Sequence, residues 1–371
     1  MKILFVLDYY YPYQGGSEVL FRNLAEGLAA KGYDVTVVTS RFEGTKRRET
    51  IAGVKVRRIS VPPFIRRPFF MLLALPWLLF NAKRFDIIHT TSCGSSVSAW
   101  IASRLLRIPA VITVHEVLGK DWDVLYGKFP LVPNLSRVSE SMALSLPFDR
   151  HICVSHSTKK NLSRLIDKRR ITVVHNAVDH DHWNPSKYKG ARKKIRRKLG
   201  IKDKEFLYLF YGRPGVTKGV EYLAKALPCI RENVPDSKAL FILGTEPKER
   251  YGIIKSLLKK NGGGSVILHK PLPYKILPEY IMAADCVVVP SITEGFGFCV
   301  AEACSLKRPV VASNTTSIPE VISGKFLLVP PRDPKAIAKA VQYVKEKKYM
   351  KTPLKRFMKK DFIQGYENIY E

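Results

Sequence analysis

Short apolar runs alternate with helical patterns along the whole chain, and that alternation leaves few folds open. ILFVLD (3–8) has the length of one buried strand. SEVLFRNLAEGLAAKG (17–32) sets Val19, Leu20, Leu24 and Leu28 on one helical face and closes at Gly32. DVTVVTS (34–40), FDIIHTTS (85–92), AVITVH (110–115), HICVS (151–155) and ITVVH (171–175) continue the strand series. After a basic, poorly periodic stretch at 180–202 the pattern resumes with FLYLFYG (206–212), a helix over 219–233, ALFILG (239–244) and a helix near 249–261. SVILH (265–269), DCVVVPS (285–291), a helix near 298–306 and PVVAS (309–313) complete it. Strands that alternate with helices pair in parallel, each helix crossing back over the sheet. The predicted fold class is α/β, with two doubly wound Rossmann-like domains at 1–177 and 178–355. At 371 residues the chain is also longer than one core usually supports. Ligands of such sheets sit beyond the carboxyl ends of the strands, so the residues there carry the functional information.

The charge is strongly one-sided. Lys and Arg total 62 against 32 Asp and Glu, a formal net charge of +30. Such an excess attracts nucleic acid, acidic lipid or phosphorylated ligands. The cations cluster at 187–198 (KYKGARKKIRRK) and 345–360 (KEKKYMKTPLKRFMKK). No recognition helix or aromatic-interleaved basic motif points to nucleic acid. Segment 68–80 (PFFMLLALPWLLF) is apolar on every side and bracketed by Arg66–Arg67 and Lys83–Arg84. It is shorter than the ~20 residues that span a bilayer. It reads as a crossover helix buried on the sheet and kinked at Pro76, or as a segment at a membrane interface with its flanking cations on lipid phosphates. The N-terminal apolar run stops at Asp8, too early for a signal peptide. Cys93, Cys153, Cys229, Cys286, Cys299 and Cys304 form no CxxC pair and no zinc-spaced cluster, as expected of reduced thiols in the cytoplasm.

Four places past strand ends combine chemistry with position. Gly15–Gly16 open the first helix, where small residues let a ligand approach and a helix N-terminus offers N–H groups. His115 ends a strand in TVHE, where an imidazole titrating near neutrality can hydrogen-bond a ligand hydroxyl. Arg213 and Lys218, in YGRPGVTKG, present two cations around a tight turn and suit a diphosphate. In PSITEGFGFCVAEAC (290–304), Glu294 lies in a loop freed by Gly295 and Gly297, and Glu302 follows in a helix starting near Phe298. Carboxylates there can hold paired sugar hydroxyls, while the helix start favours phosphate.

These residues together resemble a known family. EGFGFCVAE (294–302), KRPVVAS (307–313) and IPEVI (318–322), with GGSE (15–18), TVH (113–115), VHNAVD (174–179) and GRPGVTKG (212–219) in the family's order, resemble the group 4 retaining glycosyltransferases of the GT-B fold. The likeness runs from residue 3 to about residue 370. It implies two Rossmann-like domains facing across a cleft, with a last helix in 356–371 crossing back to the N-terminal domain. It implies a nucleotide-sugar donor, UDP- or GDP-linked, as substrate, and no resident metal or cofactor. By residue, Gly16 would pack on the donor diphosphate, His115 would contact the transferred sugar, and Arg213 and Lys218 would neutralise the leaving group. Glu294 would bind the sugar and Glu302 the ribose. The expected donor-binding set is Gly15, Gly16, Arg213, Lys218, Glu294, Gly295, Phe296, Gly297, Phe298 and Glu302, with His115, Arg213, Lys218 and Glu294 at the chemistry. The expected acceptor is a glycan or glycolipid at the cytoplasmic face of an anionic membrane. An epimerase of the same fold, a DNA glucosyltransferase and a non-catalytic sugar-nucleotide-binding protein stay open at this point. The chain has Ala177, Thr91 and Glu116 where the family usually has Gly, His and Asp.

Overall fold

The computed structural model describes the chain apart from residues 14, 63–65, 93, 128 and 130. It divides into two compact units, Met1–Ala177 with Phe357–Glu371, and Val178–Arg356. Both carry mainly parallel sheets clothed by helices, two Rossmann-like units.

The first unit's sheet has eight strands: β1 (Lys2–Leu7), β2 (Asp34–Ser40), β3 (Arg48–Ile51), β4 (Val54–Ile59), β5 (Ile87–Thr91), β6 (Ala110–Val114), β7 (Arg150–Cys153) and β8 (Ile171–Val173). Their order is β3-β4-β2-β1-β5-β6-β7-β8. Every pairing is parallel except the β3–β4 hairpin, which turns on Ala52 and Gly53, both at positive φ (47° and 81°). The sequence reading missed this hairpin because RETI and VKVRRI are rich in charge. One of those charges, Arg58, is buried, and its terminal nitrogens donate to the Glu49 carboxylate and the carbonyls of Tyr11 and Lys46.

The chain winds outward from β1 through β2 and β4, then returns to β1's other side at β5. The return is made by the helix Arg66–Asn81, which covers the apolar segment 68–80. Only Phe70, Ala74 and Leu78, one face at four-residue spacing, are buried. The expected crossover helix does bury this face against the sheet, while Phe69, Leu72, Leu73 and Phe80 are exposed. The last helix, Lys359–Tyr370, packs within this first unit through a buried polar chain. The Tyr370 hydroxyl meets His89 Nδ1 at 2.6 Å, His89 Nε2 meets Thr113 Oγ1 at 2.8 Å, and Tyr366 meets Thr113 at 3.2 Å. Burial holds His89 at about 3, uncharged, as such a network requires.

The second unit's sheet is built from β9 (Phe206–Gly212), β10 (Ser237–Leu243), β11 (Val266–His269), β12 (Cys286–Val289), β13 (Val310–Ser313), β14 (Lys325–Val329) and β15 (Met350–Lys351). Their order is β11-β10-β9-β12-β13-β14-β15, antiparallel only at β14–β15. The strand at 286–289 ends before the apolar run does, because Pro290 lacks the N–H that a ladder needs.

The cationic run 187–198 is less free than its sequence suggests. It forms the helix Ala191–Lys198, in which Arg196 is 1% exposed. Arg192 and Arg196 both pair with Asp285, Lys194 pairs with Glu279, and Lys198 lies over the Tyr280 ring. Part of the excess charge is therefore used inside the unit. The five described cysteines are free, and Cys93 lies outside the described residues. Among the described residues no helix is long and apolar enough to cross a membrane.

Candidate functional site

In the second unit the winding reverses between β9 and β12, which pair directly (Tyr208 with Cys286, Leu209 with Val287). Where neighbouring strands send their crossovers opposite ways, a crevice opens at their carboxyl ends. The loops leaving β9 and β12 there carry most of the residues singled out by the sequence.

After β9 the chain turns through Arg213–Lys218 and enters the helix Val220–Asn233 across Gly219. Gly219 has φ +60°, and a Cβ there would lie 1.9 Å from the Pro290 carbonyl oxygen. Only glycine lets the two loops approach so closely. The amide of Ile292 donates to the Thr217 carbonyl at 2.7 Å, stitching the loops together.

Lys218 and Glu294 then meet. Lys218 Nζ is 2.7 Å from Glu294 Oε1, which also accepts from Ser291 Oγ at 2.8 Å. Glu294 is 8% exposed, so its charge requires these partners. Its backbone is fixed too: its N–H donates to Thr316 Oγ1 at 2.9 Å, and its carbonyl accepts from Ser317 Oγ at 2.9 Å. Thr316 has φ +42°, an uncommon and strained state for a β-branched residue. Arg213 is exposed just past β9.

Gly297, at φ +93°, caps the helix Phe298–Ser305. Phe296 is buried with its ring 5.2 Å from that of Phe298, so it can offer a ligand its backbone rather than its side chain. One turn on, the Tyr211 hydroxyl lies 3.0 Å from Glu302 Oε2 and 2.8 Å from the Cys299 carbonyl oxygen. Burial pushes the Glu302 carboxyl up to about 7, against the opposing pull of the Tyr211 hydrogen bond and the Lys218 charge.

That shift has a consequence for stability. Below the ordinary value of 4.5 the carboxyl is protonated whether the chain is folded or not. Between 4.5 and about 7 the unfolded chain releases a proton that the folded chain keeps, so stability falls as pH rises. The loss reaches roughly 3 kcal/mol and levels off above that window. Glu302→Gln, neutral throughout, is expected to lose this slope. Urea unfolding at about pH 5 and about pH 8 checks it: the wild-type loss between the two should shrink by most of that amount in the variant.

In the first unit the winding reverses between β1 and β5. Asp8 follows β1, Thr91 ends β5 and His115 follows β6. A cavity of about 20 Å³, room for one water, is lined by Asp8, Ser17, Glu18, Arg67 and Thr91 with apolar neighbours. Asp8 accepts from the Ser95 amide (3.1 Å) and hydroxyl (3.2 Å). Burial lifts its carboxyl to about 6, with the Arg67 guanidinium pulling it down. The buried Thr91 Oγ1 and His115 Nε2 have no hydrogen-bond partner among the described residues, an unusual and costly state that a ligand would relieve.

His115 departs from its expected titration near neutrality. Its ring lies against Phe21 at 5.7 Å, and burial holds it at about 4, so it presents a neutral imidazole. Gly15 and Gly16 do open the helix Gly16–Ala30, but that helix start already has an anion of its own. The Glu18 carboxylate stands where a Gly15 Cβ would come within 2.3 Å of it.

The sequence reading missed Asp8, Tyr211, Ser291 and Thr316. A signal existed for the first two, a polar group closing an apolar strand at its carboxyl end. Ser291 and Thr316 act through loop geometry that no spacing reveals.

Comparison with known proteins fits this arrangement. Residues 14–182 match the family model described as Glycosyltransferase Family 4, and residues 191–361 match Glycosyl transferases group 1. The D-inositol 3-phosphate glycosyltransferase of Xylanimonas cellulosilytica is 27% identical over 87% of this chain and 82% of its own. One subunit of the human phosphatidylinositol N-acetylglucosaminyltransferase is 25% identical over 88% of this chain and 65% of its own. The Anabaena protein Alr3699/HepE, solved in complex with UDP-glucose, superposes with a TM-score of 0.73 at 18% identity, covering 100% of this chain and 99% of that one.

Proposed function

Because the chain belongs to the group 4 glycosyltransferases of the GT-B fold, we propose that it moves a hexose from a nucleotide-diphosphate sugar to a hydroxyl acceptor with retained anomeric configuration. The observation that carries this reading is the Lys218–Glu294 pair at the β9–β12 reversal, with Glu302 close enough to feel the Lys218 charge.

A sugar diphosphate approaching this crevice finds a partner for each of its parts. Lys218 and Arg213 attract the diphosphate, and the start of the helix Phe298–Ser305 adds partial positive charge. Glu294, once Lys218 turns to phosphate, accepts from sugar hydroxyls. Glu302, once ionised, accepts from the paired ribose hydroxyls. The bond from the anomeric carbon to the phosphate oxygen breaks as the acceptor oxygen bonds to that carbon, giving glycoside, nucleoside diphosphate and a proton. Negative charge grows on the departing diphosphate, and cations fixed in advance stabilise it most where it grows. In the first unit His115 presents an uncharged Nε2 suited to a sugar hydroxyl.

The acceptor is proposed to be lipid-linked or a membrane glycan. The net charge of +30 and the half-exposed apolar helix Arg66–Asn81 support this, and so does the relative whose name specifies phosphatidylinositol. The inositol-phosphate relative supports a soluble phosphorylated polyol as the second reading.

Thermal unfolding with UDP-, GDP- and ADP-sugars tests the donor. One class should raise the midpoint in a dose-dependent way, by the roughly 3–4 kcal/mol expected at 100 to 1,000 times its Kd. No stabilisation by any of them would overturn the donor site. Product analysis by NMR with the stabilising donor then reads the anomeric configuration.

A further inference from the structure

The helix Val132–Leu144 turns its charged side chains inward: Glu140 accepts from the amides of Leu118 and Gly119, both at 2.9 Å, and from Trp122 Nε1 at 3.1 Å. Arg137 reaches back to Asp123. Most of its large apolar residues face outward, beside exposed Asn134 and Ser139. Leu131, Leu135, Val138 and Met142 recur at four- and three-residue spacing along one face, exposed by 79%, 72%, 56% and 69%. Only Pro133 and Leu144 of the helix are buried. A surface helix in water normally shows the reverse arrangement.

This face is not isolated. Leu144 belongs to the same core cluster as Phe70, Ala74 and Leu78 of Arg66–Asn81 and Ala99 and Ala102 of Ser95–Leu106, so the end of Val132–Leu144 is anchored on the side of the first sheet that those two helices cover. The outward faces of the other two helices carry more large apolar groups, among them Leu72, Phe80 and Leu105. Each helix leads into the start of a strand, so their C-terminal ends gather at one edge of the sheet. Exposed Lys83, Arg84, Arg104, Arg107 and Arg150 lie along that edge against two exposed acids, Asp86 and Asp149. Large apolar side chains exposed in a row along one helix mark an interaction site. A basic edge in the same unit selects a partner that is apolar within and anionic at its surface.

We infer that this helical layer, centred on Val132–Leu144, docks the protein on an anionic phospholipid bilayer, with Leu131, Leu135, Val138 and Met142 entering the interface and the basic edge on the lipid phosphates. The inference rests on the membrane-acceptor reading and names the surface that would serve it.

Vesicle sedimentation of the full chain tests it, with Leu135→Asp/Met142→Asp beside the wild type. Both side chains are exposed, so the variant should keep the wild-type melting temperature and the same stabilisation by nucleotide sugar. The wild type is expected to sediment with phosphatidylcholine–phosphatidylglycerol vesicles, less with phosphatidylcholine alone, and less in high salt. The variant should partition about 30-fold more weakly or worse, since it loses two buried apolar groups and gains two charges that anionic lipid repels. Equal binding by variant and wild type would overturn this surface while leaving the membrane-acceptor reading in place. No vesicle binding by the wild type would overturn both. Light scattering that shows a dimer dispersed by the two substitutions, without vesicle binding, would assign the face to a second copy and overturn the inference.

Discussion

Lys218→Ala is expected to lower turnover by about 10²–10³-fold, the cost of losing one fixed charge aimed at a developing anion. Lys218 stands on a short turn held from both sides, with the Thr217 carbonyl bonded to Ile292 and Gly219 pressed against Pro290. The loop therefore delivers the ammonium to one place. Arg213 is nearby in sequence but exposed, and longer reach with less confinement makes it a partial substitute at best. Loss of the ammonium also leaves the carboxylate of Glu294 buried with the Ser291 hydroxyl, at a stability cost of about 1–3 kcal/mol. The two effects separate by measurement. A fall in kcat at saturating donor reports the leaving-group charge, and the unfolding midpoint reports the stranded carboxylate. The double variant Lys218→Ala/Glu294→Gln should recover much of the stability and none of the turnover. Unchanged kcat in Lys218→Ala at saturating donor would remove Lys218 from the chemistry.

The fold was legible where burial makes a sequence monotonous. Strands covered on both faces, such as FLYLFYG and CVVV, read as apolar runs because water never reaches them. The β3–β4 hairpin was not legible, since an edge hairpin carries charge and its Arg58 is held through tertiary contacts. The inverted helix Val132–Leu144 escaped for a related reason: periodicity says that two faces differ and cannot say which faces inward. At the candidate site, Glu294, Lys218 and Glu302 stood out because charge beside glycine past a strand end has few structural uses. What they do to one another was hidden. The Lys218–Glu294 contact joins residues 76 positions apart, and the raised Glu302 carboxyl depends on burial that a sequence does not display. His115 does follow its strand as read, but burial holds it at about 4 and not near neutrality, for the same reason.

Arg196→Ala is expected to destabilise the second unit by about 1–3 kcal/mol, the range for leaving buried polar groups short of a hydrogen bond. In sequence Arg196 is one of many cations in KKIRRK. In the structure its guanidinium is enclosed, with Nε on the Ala283 carbonyl at 3.1 Å and one terminal nitrogen on the carbonyls of Lys202 (3.1 Å) and Glu205 (2.9 Å). The other terminal nitrogen pairs with Asp285. Alanine would take the guanidinium from all three carbonyls, leaving Arg192 on Ala283 and the Glu205 amide on Lys202. Asp285 would fare better, since Arg192 and the Leu207 amide still hold it. The cost therefore arises mainly from the carbonyls, and Lys, with one compact ammonium, cannot restore them from one position. Asp285 stands at the foot of β12 and Leu207 near the foot of β9, the two strands whose far ends carry Glu294 and Lys218. A loosened foot should thus be felt in the crevice as well. Hydrogen exchange in Arg196→Ala should accelerate over Ala191–Lys198 and the first residues of β9 and β12, and donor-induced stabilisation should fall with it. A urea midpoint equal to that of the wild type would show that the carbonyls find water, and that the guanidinium does not hold these strands together.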